Sequence, residues 1–184
     1  MRYSTIVILV CVLITLATVA YGDDAIHSRV EKTAAGERIL IEEITLNAPL
    51  DRVWNAYTTA EGWIGWAAPK AKVDLQVGGT IQTQYNPEAE IGDAGTNTLH
   101  IVSYVPKTLL ILRADLAPNW PDVMKEDADN LSNVILFDAI SDDITRIRSY
   151  GIGYRDRPEY DELLSFFSSA NRGLYEKLKR FVED

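Results

Sequence analysis

The C-terminal part of the chain carries one apolar stripe at helical spacing, and this feature constrains the fold more than any other. Pro158 suits the first turn of a helix, acidic residues follow it, and basic residues gather near the chain end, as the helix dipole favours. We therefore predict one long helix of about 24 residues, or about 36 Å, packed against a single surface. The stripe advances in steps of three and four through Tyr160, Leu163, Phe167, Ala170, Leu174, Leu178 and Phe181.

The segment before this helix predicts the surface that it covers. Runs rich in β-branched and aromatic residues follow one another at hairpin spacing, with turns at Gly78-Gly79 and at Ser141-Asp142-Asp143. Strands joined by short turns run antiparallel. The sequence therefore predicts an antiparallel sheet of about seven strands. The first strand begins at Arg38, and the others lie near 73–77, 80–85, 96–105, 108–114, 131–140 and 144–154.

Two short helices are predicted directly after the first strand. Pro49 suits the first helical position, and the residues from Leu50 to Tyr57 place apolar side chains on one helix face. Thr58-Thr59-Ala60-Glu61 has the form of a capping box, and the helix that it begins carries Trp63 and Trp66. Strands and helices are therefore segregated along the chain, which indicates an α+β fold.

The N-terminus has the pattern of a signal peptide over residues 1–22. A positive Met1-Arg2 precedes an apolar run, and Ala20-Tyr21-Gly22 provides a small-residue cleavage site. We expect a periplasmic or secreted product with no membrane span after cleavage. An uncleaved anchor is the alternative, because Tyr3 to Gly22 is uncharged and about as long as one bilayer span.

Charge and composition exclude several functions for the remaining chain, which we divide into a polar lead-in over 23–37 and one domain over 38–184. The lead-in is predicted to be loose or a short helix. The net charge is −9 and no Lys/Arg cluster occurs, which argues against a nucleic acid partner. Cys11, the one cysteine, lies in the signal segment, and His27 and His100 are the only histidines. The usual zinc ligand sets cannot be assembled, so we expect neither a metal nor another cofactor.

Several motifs resemble one branch of a known superfamily. They are the segment from Leu46 to Thr58, then Glu61-Gly62-Trp63, Trp66-Ala67-Ala68-Pro69 and Val77-Gly78-Gly79. They resemble the SRPBCC branch named after activators of the 90-kDa heat-shock-protein ATPase. The superfamily also includes START lipid-transfer domains, birch-pollen-type allergens and polyketide cyclases. The resemblance covers about residues 38 to 182. It implies a helix-grip fold, in which a curved sheet wraps around the C-terminal helix and leaves an apolar cavity.

Two features of the strands leave alternatives open. Gly151 and Gly153 share one strand face with Ser149, which indicates either room for a ligand or close packing of the long C-terminal helix on the glycines. His100 lies on a mostly apolar strand face. It is either an ordinary hydrogen-bonded residue or a general base partnered by Tyr104 or Asp138. The candidate ligand-binding residues are Trp63, Trp66, Tyr85, His100, Tyr104, Trp120, Gly151, Phe167 and Ala170.

These observations favour an exported binding module for a small hydrophobic or amphipathic molecule, with no catalytic residue assigned. One alternative is a cyclase-type or hydrolase-type enzyme that uses His100 with Tyr85 or Tyr104. Another is a protein-interaction module that resembles the co-chaperone branch. The oligomeric state is left open.

N-terminal sequencing tests the signal peptide. Protein isolated from its natural compartment should begin at Asp23, because cleavage is expected after Gly22. A product that retains Met1 would contradict cleavage and leave the anchor alternative.

Overall fold

One eight-stranded antiparallel sheet forms the body of the protein. The computed structural model describes residues 26–118 and 120–184, so the predicted signal peptide lies outside the described residues. The strands are β1 (His27–Lys32), β2 (Arg38–Leu46), β3 (Lys70–Val73), β4 (Thr80–Gln84), β5 (Asn97–Val105), β6 (Leu109–Ala114), β7 (Ser132–Ser141) and β8 (Ile144–Tyr154). Their order in the sheet is β1-β2-β8-β7-β6-β5-β4-β3. The predicted α+β fold is confirmed, and so are β2 and the strands from β4 onward. The strand expected near 73–77 lies earlier, at Lys70–Val73, and the chain leaves the strand conformation after Val73 in the turn that leads to β4.

Four helices complete the described chain. They are α1 (Leu50–Thr58), α2 (Ala60–Trp66), α3 (Asp122–Glu126) and α4 (Glu159–Glu183). The long helix α4 lies over the sheet and contacts β2, α1 and α2, as a helix-grip fold requires. No helix of the described residues is long and apolar enough to cross a membrane.

Local hydrogen bonds separate α1 from α2. The hydroxyl of Thr58 donates to the carbonyl of Trp54 inside α1. The hydroxyl of Thr59 accepts from the backbone N–H of Gly62 at 2.9 Å and caps α2. The cap is therefore Thr59, one residue after the Thr58 position of the predicted capping box. This tight junction holds the two helices together at one end of the sheet.

Strand β1 differs from the prediction of a loose lead-in or a short helix. Its six residues pair with β2 along the outer edge of the sheet. Most of its side chains are exposed, including those of Arg29 and Glu31, which form an ion pair. An edge strand that is exposed on both faces lacks the apolar alternation that reveals a half-buried strand. The polar sequence therefore concealed an eighth strand.

The buried face of α4 is also rotated from the predicted stripe. Ser168 and Asn171 turn toward the sheet, where they hydrogen-bond to Ser28 and Glu42. Ala170 is exposed instead. Because two inward positions are polar, the apolar spacing alone indicated the wrong helix face in the middle of α4. The buried positions of α4 are Tyr160, Leu164, Tyr175, Leu178 and Val182.

The two glycines of β8 have different neighbours, and neither is covered by α4. Gly153 has a φ of +91°, and a Cβ there would lie 2.0 Å from the carbonyl oxygen of Asn130. A Cβ on Gly151 would meet the ring of Tyr154 at 3.1 Å. Close packing therefore explains both glycines, but the packing partners are a neighbouring loop and a tyrosine ring.

The connection between β6 and β7 carries α3 and is tied to the start of α4. Asp127, at the end of α3, is fully buried. Its carboxylate accepts a hydrogen bond from the Tyr160 hydroxyl at 3.0 Å and pairs with Arg155 at 2.9 Å. Trp120, earlier in the same connection, stacks on Phe167 of α4 with ring centroids 6.0 Å apart.

Truncation of one buried α4 residue tests the observed helix face. Leu178 is 0% exposed, so Leu178→Ala should lower the free energy of unfolding by about 2–5 kcal/mol. The neighbouring Lys177 is exposed, and Lys177→Ala should change it by no more than about 0.5 kcal/mol. Urea denaturation measures both. Equal effects would mean that the helix presents a different face.

Candidate functional site

A cavity of about 340 Å³ lies between the sheet, α2 and α4. This volume is at the lower end of the range of ligand pockets, about 300–1,000 Å³. The walls combine aromatic rings, aliphatic side chains and a few polar groups. The lining residues are Tyr57, Trp63, Trp66, Thr83, Tyr85, Asn97, Thr98, Leu99, Leu112, Ala114, Asp115, Trp120, Asn133, Ile135, Asn171, Leu174 and Tyr175.

One end of the cavity is an aromatic wall made of Tyr57, Trp63 and Trp66. The two indole rings lie 5.0 Å apart, and the Tyr57 ring lies 5.4 Å from that of Trp66. Each indole N–H donates to a backbone carbonyl of α1, from Trp63 to Tyr57 at 2.8 Å and from Trp66 to Ala56 at 2.9 Å. These bonds fix the rings and use the indole donors. The wall therefore offers ring surface to a bound molecule.

A row of polar side chains forms the opposite boundary, beneath α4. The Asn171 amide donates to Oε2 of Glu42 at 2.9 Å, and the Tyr175 hydroxyl donates to the same oxygen at 3.4 Å. The Ser149 hydroxyl donates to the side-chain carbonyl of Asn133 at 2.8 Å. This polar row separates the main apolar cluster around α1 and α2 from a smaller one around Tyr160 and Leu164.

Glu42 is the buried acid of the polar row. The residue is 2% exposed, and its Oε1 has no hydrogen-bond partner among the described residues. Burial raises the pKa of the Glu42 carboxyl to about 7, against opposing hydrogen bonds from Asn171 and Tyr175 and the more distant charge of Arg172. Burial likewise raises the pKa of the Tyr175 hydroxyl, and the charge of Glu42 adds to that effect. The row therefore contains a carboxyl that titrates close to neutral pH.

The rim of the cavity carries a second acid, Asp115. Its carboxylate lies 2.7 Å from Nε2 of His100, and both side chains are partly exposed. His100 thus pairs with Asp115 and with neither of the expected partners, Tyr104 and Asp138. Asp138 instead forms ion pairs with arginines of β8, as its cross-strand position predicts.

The structure brings four of the nine predicted ligand-binding residues to the cavity wall. These are Trp63, Trp66, Tyr85 and Trp120. The other five lie outside the wall. His100 pairs with Asp115, and the Tyr104 hydroxyl lies 3.5 Å from the Leu75 carbonyl. Tyr154 covers Gly151, Phe167 stacks on Trp120, and Ala170 is exposed.

The residues of the polar row were not predicted from the sequence. Glu42 did carry a signal, because it alternates with Leu40, Ile44 and Leu46 on the inward face of β2. A single acid in an otherwise apolar row indicates a buried charge. Asn171 gave no such signal, because an asparagine on a helix is ordinarily assigned to the exposed face.

The titration of Glu42 predicts how stability depends on pH. The folded protein binds this proton more tightly than the unfolded chain, whose carboxyl has a pKa near 4.5. The free energy of unfolding should therefore fall as pH rises from about 4.5 to about 7, by up to about 3 kcal/mol from this group. Glu42→Gln should remove that part of the slope.

Urea denaturation between pH 4.5 and 8 measures the difference between the protein and Glu42→Gln. Glu43→Gln is the matched control, because Glu43 is the next residue on β2 and faces the other way. Parallel stability curves for the protein and Glu42→Gln would contradict the raised pKa.

Comparison with known proteins identifies the family and the fold. The family model described as "Activator of Hsp90 ATPase homolog 1-like protein" matches residues 47–183. No curated protein sequence matches significantly.

Solved structures share the fold at low sequence identity. The Aha1 dimer of Colwellia psychrerythraea has a TM-score of 0.58 and 15% identity, covering 79% of this chain and 96% of that one. CalU16 of Micromonospora echinospora has a TM-score of 0.61 and 18% identity, covering 86% and 84%. Protein MLL2253 of Mesorhizobium loti has a TM-score of 0.59 and 18% identity, covering 78% and 96%. The family match spans most of the chain and the shared fold agrees with it, so this chain belongs to the family of Activator of Hsp90 ATPase homolog 1-like proteins.

Proposed function

We propose that this protein binds a small hydrophobic or amphipathic molecule in the cavity between the sheet and α4. The observation that carries the proposal is the cavity of about 340 Å³, walled by fixed aromatic rings and bounded by one row of polar groups. Ligand sites in proteins have this composition, with mostly apolar walls and a few polar groups that orient the ligand.

The aromatic wall supports binding because it is held in place before any ligand arrives. The Trp63 and Trp66 rings are anchored through their N–H groups to the backbone of α1. A rigid wall loses little conformational entropy when a ligand binds. The family's name refers to a protein-directed activity, whereas the observation that carries our proposal lies inside the domain.

An enzyme of the cyclase type is the second candidate, and the observation that favours it is Glu42. General acids and bases work best when their pKa lies near the working pH, and that of Glu42 is about 7. Asn171 and Tyr175 line the cavity and hydrogen-bond to Glu42, so a proton moving between Glu42 and a bound molecule would pass through the Tyr175 hydroxyl. Mass spectrometry of a bound molecule before and after incubation separates the two candidates, because a carrier returns its ligand unchanged.

We also propose that the domain acts outside the cytoplasm. Support comes from the apolar N-terminal run and the Ala20-Tyr21-Gly22 site, which lie outside the described residues. An exported carrier for an apolar molecule would serve a physical need, because such molecules are poorly soluble in the aqueous space beyond the membrane.

Filling the cavity tests ligand binding. Ala114, at the exposed end of β6, lines the open side of the cavity, so Ala114→Leu should place new side-chain volume across its entrance. We expect this variant to bind the neutral fluorescent probe N-phenyl-1-naphthylamine at least tenfold more weakly than the unaltered protein, in a fluorescence titration.

Ala170→Leu is the matched control, because Ala170 is exposed on α4 and lies outside the cavity. It should bind the probe as the unaltered protein does. Urea midpoints measured in parallel show that both variants are folded. Equal weakening by the two substitutions, or an unaltered protein that does not bind the probe, would overturn the proposal.

A further inference from the structure

We propose that the cavity selects an organic cation, a protonated amine carried on a small apolar body. This inference rests on the proposed function and specifies the chemical class of its ligand. Three independent features of the site lead to it: an uncompensated buried acid, the direction of the hydrogen bonds around that acid, and the aromatic walls.

The first feature is that Glu42 is buried without a cation beside it. Burying a carboxylate is costly unless it is paired. Among the described residues, no lysine or arginine lines the cavity. Arg172 acts on Glu42 only through its charge, from an exposed position on α4. A ligand ammonium at the polar row would supply the missing positive charge.

The second feature is the direction of the hydrogen bonds. Asn171 and Tyr175 both line the cavity, and both use a donor on Oε2 of Glu42. What they retain for a ligand are acceptors, namely the side-chain carbonyl of Asn171 and the Tyr175 oxygen. The neighbour of the Tyr175 oxygen, the Ser149 hydroxyl, uses its proton on Asn133. Asn133, whose carbonyl is occupied by Ser149, adds one amide donor to the row. An ammonium group, which is a donor only, matches the two acceptors next to Glu42.

The third feature is the electrostatic character of the walls. The ring faces of Trp63, Trp66 and Trp120 carry the negative side of an aromatic quadrupole, which makes the cavity more favourable for a cation than for an anion. Asp115 adds a carboxylate at the rim, and the whole chain has a net charge of −9. These negative charges and ring faces favour the approach of a cation and oppose that of an anionic molecule such as a fatty acid.

The Glu42 carboxyl couples this selection to pH. The groups nearest to it are Ser149 from β8 and Asn171 and Tyr175 from α4. Arg172, Tyr57 and Tyr154 interact with it through charge. Only Glu42 among them has a pKa raised to about 7, and the tyrosine hydroxyls stay protonated well above that pH. Amine binding should therefore strengthen as Glu42 ionises.

Three probes with the same ring system test the selection: 1-naphthylmethylamine, 1-naphthylmethanol and 1-naphthoic acid. We expect isothermal titration calorimetry at pH 8 to give an amine affinity at least tenfold above that of the alcohol, with the acid weakest. Between pH 6 and pH 8 the amine affinity should rise about tenfold, because a group with a pKa of about 7 passes from mostly neutral to mostly ionised. The alcohol affinity should change little.

Two variants assign the effect to the polar row. Glu42→Gln should bring the amine affinity within about threefold of the alcohol affinity and remove its pH dependence, whereas the control Glu43→Gln should keep both. Should Glu42→Gln fail to fold by near-UV circular dichroism, Tyr175→Phe removes one acceptor and leaves the acid, and should reduce the preference for the amine.

The outcomes separate this inference from the proposed function. If the neutral probe N-phenyl-1-naphthylamine binds in the cavity but the amine binds no better than the alcohol, cation selection is overturned and the binding function stands. If neither that probe nor any naphthyl probe binds, both are overturned. An amine preference that persists unchanged in a folded Glu42→Gln variant also overturns the role of the polar row.

Discussion

The packing of α4 across the sheet is the interaction on which the rest of this structure depends. Eight antiparallel strands leave a wide inner face, and a single helix covers only part of it. Toward its C-terminal end, α4 fills that face with Leu178 and Val182, which are almost fully buried. At the same end, α1 and α2 add their own apolar residues to the same cluster. The cavity is the space that these three helices leave over the strands from β4 to β7.

The inner face is not uniformly apolar, and this sets the limits of the cavity. The polar row of Glu42, Ser149, Asn133, Asn171 and Tyr175 divides it into two apolar clusters. A hydrophobic molecule can contact the aromatic wall on one side of the row, but crossing the row would strip hydrogen bonds from buried groups, which is unfavourable. Under the proposed function, the row would therefore orient an amphipathic ligand with its polar group toward α4.

Most of the fold was predictable from the sequence because its elements obey simple periodicities. The β5–β6 and β7–β8 hairpins have alternating strands and clear turn residues, and α4 has charged ends that match its dipole. The prediction failed where the position of a residue in the fold differs from the position that its polarity suggests. Strand β1 is polar because it is an edge strand, and the inward face of α4 contains Ser168 and Asn171, so its phase was wrong near Ala170.

The candidate site was less predictable for the same reason. Trp63, Trp66, Tyr85 and Trp120 could be proposed because aromatic residues commonly line pockets, and the structure places them on the cavity wall. The polar row is formed by residues from β2, β7, β8 and α4, and no local sequence pattern predicts that these residues lie in contact. Only the isolated acid in the apolar alternation of β2 was visible in advance.

The connection that carries Trp120 has a consequence for how the shape of the cavity can vary within this family. The wall formed by Trp63 and Trp66 is bonded to the backbone of α1 and belongs to the core. The Trp120 wall comes from a surface connection that is fastened at its far end, where Asp127 meets Tyr160 and Arg155. Surface connections accept insertions and deletions that core elements do not. Related chains can therefore reshape one side of the cavity by changing the length of this connection, while the sheet, α4 and the opposite wall stay as they are.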